Sequence, residues 1–179
     1  SNGYSLVRHT LAQAGIAYTA HSADFCKSWG EELLTPTRLY TADLLRVIEA
    51  DAGRVHALSH VTGGGIAANL ARVLPTGTWV EVDRSTWSPA PVFRVLSDIA
   101  GNPLESNEGT WNLGIGFLAV VAVDAASAIS AELIAAGIKT WQVGTVSTGA
   151  RPEGDFIQGA KGVDGGAVRL VGAYQDGRG

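Results

Sequence analysis

Methionine is absent from all 179 residues, and cysteine occurs once, at Cys26. With no methionine to initiate it, the chain is expected to start after processing or to be a piece of a longer protein. A lone cysteine excludes an internal disulfide and fits a reducing, cytoplasmic setting. With no obvious base beside it, Cys26 reads as a bystander rather than a nucleophile. Blocks of Lys and Arg are also missing, and the net charge is −4, which argues against a nucleic-acid partner. No apolar run reaches the ~18 residues a membrane-spanning helix needs; the longest, Ile115 to Val123, is strand-sized. No leader pattern is read at the start. Charged residues make up only 17% and apolar residues 46%, the balance of a packed globular chain rather than a disordered one. The length suits one domain, 1–179, burying roughly two-thirds of its unfolded surface.

Glycine is plentiful, at 23 residues. Three stand together in Ser59-His60-Val61-Thr62-Gly63-Gly64-Gly65. An alternating strand pattern, Val55 to Val61, precedes them; a helical pattern, Gly65 to Leu74, follows and is closed by Pro75. Consecutive glycines leave backbone N–H groups uncovered and free to adopt positive φ. A helix opening behind them adds unpaired N–H groups and a positive dipole end, a recipe for an anion site. No Lys follows the glycines, and Ala67 and Ala68 fill the later positions, so neither G-x-x-x-x-G-K-[ST] nor G-x-G-x-x-G is present. The pattern alone leaves two readings open, an anion site or a tight turn that needs glycine for packing.

The remaining elements follow from periodicity and punctuation. Helices are expected over Tyr4 to Ala14, with Ser1 or Asn2 as cap, and over Ala42 to Ala50, Val92 to Ala100 and Ala125 to Ala136. Strands are expected at Thr37 to Tyr40, Thr78 to Val82, Phe117 to Val123 (buried), Thr140 to Val146 and Ala167 to Val171. Ile16 to Gly30 reads as loop, with a short turn at Glu31 to Leu34. Helices and strands alternate, which predicts an α/β-layered domain on a mixed sheet. Ligands on such sheets gather at strand ends. His60 and the glycines lie at one such end. Asn112 and Gly114 lie at a strand start and share that site only if the two strands run antiparallel.

Six stretches in order resemble one family: Ser1-Asn2-Gly3-Tyr4-Ser5-Leu6-Val7-Arg8, Leu34-Thr35-Pro36-Thr37-Arg38-Leu39-Tyr40, His60-Val61-Thr62-Gly63-Gly64-Gly65, Asn69-Leu70-Ala71-Arg72-Val73-Leu74-Pro75, Trp87-Ser88-Pro89 and Thr110-Trp111-Asn112-Leu113-Gly114-Ile115-Gly116. Together they resemble the C-terminal domain of phosphoribosylformylglycinamidine cyclo-ligase, or aminoimidazole ribonucleotide synthetase, over residues 1 to about 148. The resemblance implies a three-layer α/β/α domain with a mixed sheet, partly ferredoxin-like. It implies ATP- and Mg²⁺-dependent closure of formylglycinamidine ribonucleotide to aminoimidazole ribonucleotide in de novo purine biosynthesis. It also implies an N-terminal domain, absent here, that holds most of the ATP site and the homodimer interface, so that this piece alone is inactive.

Within that resemblance His60 is the catalytic candidate, as a donor to a phosphoryl or carbonyl oxygen or as a base. Its competing reading is a satisfied core histidine, the reading preferred for His21 and His56. Gly63, Gly64 and Gly65 are candidate backbone donors to phosphate, a fitting role where phosphoryl transfer rests on positioning and charge. Asn2, Thr62, Asn69, Thr110 and Asn112 are candidate polar contacts. Arg72 is a candidate phosphate partner, against a solvated helix-end arginine. No metal ligand is assigned. Where the family carries Glu-Met-x-Arg-Thr-Phe-Asn, this chain has Ser106-Asn107-Glu108-Gly109-Thr110-Trp111-Asn112, so the arginine contact at Gly109 is lost. The glycine-rich tail from about Gly149 receives no role. Two other functions compete: a related ATP-dependent enzyme of the selenophosphate synthetase, thiamin-monophosphate kinase or amidotransferase type, and a non-catalytic module that binds a phosphate ligand.

Overall fold

The computed structural model describes residues 2–50, 53–159 and 162–175. Six helices run through it: α1 (Tyr4–Gln13), α2 (Trp29–Leu33), α3 (Thr41–Ala50), α4 (Gly65–Ala71), α5 (Pro91–Ala100) and α6 (Ala126–Ala135). Eight strands accompany them: β1 (His21–Ser22), β2 (Lys27–Ser28), β3 (Val55–His60), β4 (Thr78–Asp83), β5 (Phe117–Val121), β6 (Ser147–Thr148), β7 (Ile157–Gln158) and β8 (Ala167–Val171).

The fold is α/β with mixed pairing, but the strands are hydrogen-bonded in three groups rather than one sheet. β1 and β2 form a small hairpin, β3 pairs antiparallel with β5, and four strands run in the order β6-β4-β8-β7. In the last group β4 and β8 are parallel while β6 and β7 run antiparallel to their neighbours. α4 and its flanks bury Ile66, Leu70 and Leu74 against Val80, Val82 and Val168. α1 and α5 enclose Leu11, Leu96, Trp111 and Leu113, and α3 and α6 close on the β3–β5 pair through Val47, Ile129 and Leu133.

Several expectations need correction. α1 is capped by Gly3 at φ 71° with no side-chain cap bond, because the Asn2 amide donates instead to the Thr110 carbonyl. Ser1, the other expected cap, lies outside the described residues. The stretch read as loop contains the β1–β2 hairpin. The Glu31–Leu34 turn is α2, started by a capping box in which the Ser28 hydroxyl accepts from Glu31 N–H and the Glu31 carboxylate accepts from Ser28 N–H. Thr37 to Tyr40 forms no strand. Thr140 to Val146 also lies outside any ladder: it meets β4 through Asp83 N–H to the Val143 carbonyl (2.8 Å), and pairing starts only at Ser147. α4 ends at Ala71, three residues early, because Pro75 bars helical backbone at Leu74 and the last turn tightens through Val73 N–H to the Leu70 carbonyl (3.0 Å). β5 is half-buried rather than buried. The tail left without a role supplies β7 and the interior strand β8, with Val168 fully buried.

Candidate functional site

The glycine turn sits where β3 hands over to α4. Gly64 (φ 107°) and Gly65 (φ 70°) both occupy left-handed backbone, which explains two of the three glycines. Gly65 has a second reason: an ideal Cβ there would stand 1.6 Å from the Glu108 carbonyl oxygen. Its N–H donates to the Thr62 carbonyl (3.1 Å), so this amide closes the turn rather than facing a ligand. At Gly63, by contrast, no atom lies within 4 Å of the Cβ position.

Asn69, on α4 and 1% exposed, holds the turn from beneath. Its Nδ2 donates to the carbonyls of Gly65 (2.7 Å) and Thr62 (3.3 Å), while its Oδ1 accepts from the Thr62 hydroxyl (3.2 Å) and from Arg72. Thr62, Asn69 and Arg72 are therefore joined as a brace within the turn. Arg72 is half-buried and engaged, not a solvated helix-end residue.

His60 faces elsewhere. β3 and β5 are antiparallel with His60 opposite Phe117, and Val61 N–H donates to the Gly116 carbonyl (2.9 Å). That satisfies the condition under which Asn112 and Gly114 join His60. All three line a cleft of about 350 Å³ together with Asn2, Arg38 and Tyr40. The His60 imidazole is exposed and stacked on Phe117 at 5.8 Å between centroids, so it is not a satisfied core histidine. The Tyr40 hydroxyl lies 2.0 Å from where a Gly116 Cβ would be, which explains that glycine. Asn112 Oδ1 accepts from Gly114 N–H (3.2 Å), fixing the bend at which Leu113 takes φ 49°. Thr110 holds Asn2 at the cleft through its carbonyl. Arg38, which sequence reasoning passed over inside its own motif, brings a cation to this wall.

Gly64 opens on a second cavity of about 250 Å³, lined also by Arg84, Glu108, Asp155 and Arg169. Here the Glu108 carboxylate accepts from Arg84 Nε and Nη2 (2.8 Å to the latter) and from the Tyr174 hydroxyl. The bond to Glu108 raises the Arg84 pKa, while burial and then the same carboxylate push the Tyr174 phenol far above its ordinary range. Both therefore stay donors. Neither residue carries a sequence signal, since each gains its meaning from partners 24 and 66 residues away.

The predicted residues thus fall in three places: His60, Asn2 and Asn112 on the larger cleft with Thr110 holding Asn2 there, Gly64 on the smaller, and Thr62, Gly63, Gly65, Asn69 and Arg72 in the turn and its brace. An exposed imidazole, a guanidinium and two amides over an apolar floor suit a small polar ligand carrying negative charge.

A model of the family "AIR synthase related protein, C-terminal domain" matches residues 1–156. The chain is 43% identical over 175 residues to a Streptomyces fradiae protein provisionally named phosphoribosylformylglycinamidine cyclo-ligase, covering 97% of this chain and 90% of that protein. It is 38% identical over 150 residues to phosphoribosylformylglycinamidine cyclo-ligase of Bacillus pumilus, covering 83% of this chain but 43% of that enzyme. The chain belongs to the AIR synthase-related family and corresponds to the C-terminal domain of its cyclo-ligases.

Proposed function

We propose that this chain is the substrate-handling half of an ATP-dependent cyclo-ligase that closes formylglycinamidine ribonucleotide to aminoimidazole ribonucleotide in de novo purine biosynthesis. The observation that carries this is the shared cleft: His60, Asn2, Arg38 and Asn112 arrive from four separate stretches on one wall system, and His60 is exposed there. In the reaction ATP phosphorylates the formyl oxygen, the amidine nitrogen attacks that carbon, and phosphate leaves. His60 donates a hydrogen bond to the oxygen that gains charge, Arg38 pairs the ribose phosphate, and the two amides orient the ribose. Tyr40 and Phe93 wall the cleft and limit water.

Among the described residues no three His, Cys, Asp or Glu side chains converge on a metal-sized site. In this proposal Mg²⁺ and most of the ATP contacts belong to an N-terminal domain, which also forms the homodimer. In this proposal the enzyme works in the cytoplasm.

The test is to join this chain to the N-terminal half of a cyclo-ligase and follow substrate loss and phosphate release. Cyclisation by the joined protein, with none by the chain alone, is expected. Turnover by the chain alone would overturn the division of labour, and binding of substrate without cyclisation by the joined protein would favour the non-catalytic module.

A further inference from the structure

The family match ends at residue 156, yet the chain continues into β8 and on to Gln175. This last segment is strapped down at four points. Gly172 carbonyl accepts from Arg84 Nη1 (3.2 Å), the Tyr174 hydroxyl donates to Glu108, Gln175 Nε2 donates to the Ser85 carbonyl, and the Gln175 carbonyl accepts from Arg94. The Tyr174 ring packs edge-on against buried Trp87 at 5.4 Å and touches both neighbouring apolar cores.

Glu108 is the residue through which this strap reaches the glycine turn. Its carboxylate is held by Arg84 and Tyr174, with side-chain exposures of 14% for Arg84 and 17% for Glu108. Its backbone carbonyl is the group pressed against Gly65. Asn69 braces the turn from one side, and Glu108 closes the other. We propose that Tyr174 and Arg84 are positioning residues: by fixing Glu108 they set the conformation of the Thr62–Gly65 turn, so the segment after β8 is part of the site's construction.

Geometry favours this over simple tail anchoring. Anchoring of the tail is already supplied by Gln175 and by the Trp87 contact, neither of which involves Glu108. The Tyr174 hydroxyl adds one bond, and that bond goes to the residue touching Gly65. Arg84 spends two nitrogens on the same carboxylate, a fork that fixes direction as well as distance. The inference does not depend on which anion the turn accepts.

Amide hydrogen exchange on the 179-residue chain tests it, comparing the native protein with Tyr174→Phe and Glu108→Gln. Tyr174→Phe keeps the ring against Trp87, so the melting temperature should fall by only a few degrees. Amides of residues 62–66 should exchange ~10-fold faster in both variants, while those of β5 stay at native rates, since local opening is graded across a fold. Unchanged exchange at 62–66 in both variants overturns the proposal. So does acceleration of equal size at 62–66 and in β5, which would mark a general loss of stability. Should Tyr174→Phe fail to fold, Glu108→Gln, with its side-chain length retained, carries the same comparison.

Discussion

The Glu108 carbonyl oxygen occupies the space a side chain on Gly65 would need, 1.6 Å from the ideal Cβ, with Gly65 at φ 70°. Two backbones meet there, and neither can yield cheaply. Gly65→Ala should lose about 3 kcal/mol or more of stability from overpacking and left-handed strain. For a chain of this size that corresponds to a fall in Tm of about 10 °C. A melting curve within 2 °C or so of native would show that the loop around Glu108 moves freely.

Gly63 gives the contrasting experiment. Nothing lies within 4 Å of its Cβ position and its backbone is not left-handed. Gly63→Ala should melt with the native protein yet bind inorganic phosphate or substrate more weakly, if this exposed part of the turn faces a ligand. Equal affinity measured by calorimetry would return the turn to a packing role.

Asn69 is 1% exposed and makes four bonds within the turn. Asn69→Leu keeps the volume but removes the amide that holds the Gly65 carbonyl, the Thr62 carbonyl and hydroxyl, and Arg72. The cost should be about 3 kcal/mol, the range for unsatisfied buried polar groups. Chemical denaturation would read it as a lower midpoint with unchanged slope.

His60 is exposed, so its removal should spare the fold. In the joined two-domain enzyme His60→Ala should lower kcat/KM by ~10²-fold or more, the usual contribution of a positioned proton donor. An unchanged rate would take His60 out of the chemistry.

Acid should weaken α2. The Glu31 pKa is lowered, first by the Ser28 hydroxyl and then by the Ser28 N–H. A lowered carboxylate adds stability that is complete above its unfolded value of about 4.3 and is lost as pH falls through the folded value. Asp124 beside Arg54 acts in the same direction. Glu31→Gln should therefore lower Tm slightly at neutral pH, leave it little changed in acid, and so flatten the acid limb of Tm against pH. A limb of unchanged steepness would place the acid sensitivity elsewhere.

Much of this fold was legible in local pattern. Helical spacing marks α3, Pro91 opens α5 at a first-turn position, and alternation marks β3 and β4. Spacing and resemblance name His60, Asn2 and Asn112; the antiparallel β3–β5 pair brings His60 and Asn112 to one cleft, and the Thr110 carbonyl holds Asn2 there. What local pattern could not carry was anything set by distant partners. Thr37–Tyr40 looks like a strand, yet it joins no ladder among the described residues. Asn69 looks like a ligand contact until both ends of its amide are seen to be used. Tyr174 looks like tail until Glu108 comes to it from 66 residues away.

The parallel pairing of β4 with β8 also sets an order of events. Trp79 stands opposite Ala167, so a residue 88 positions further along the chain must be synthesised before β4 gains that neighbour. Until then the apolar residues Val80 and Val82 border an open strand edge on a growing chain. Contacts this far apart in sequence slow folding and prolong exposure of such edges. The fold is completed from its far end: a polypeptide stopped at residue 156 would hold every family motif and still lack the strand that closes its central sheet.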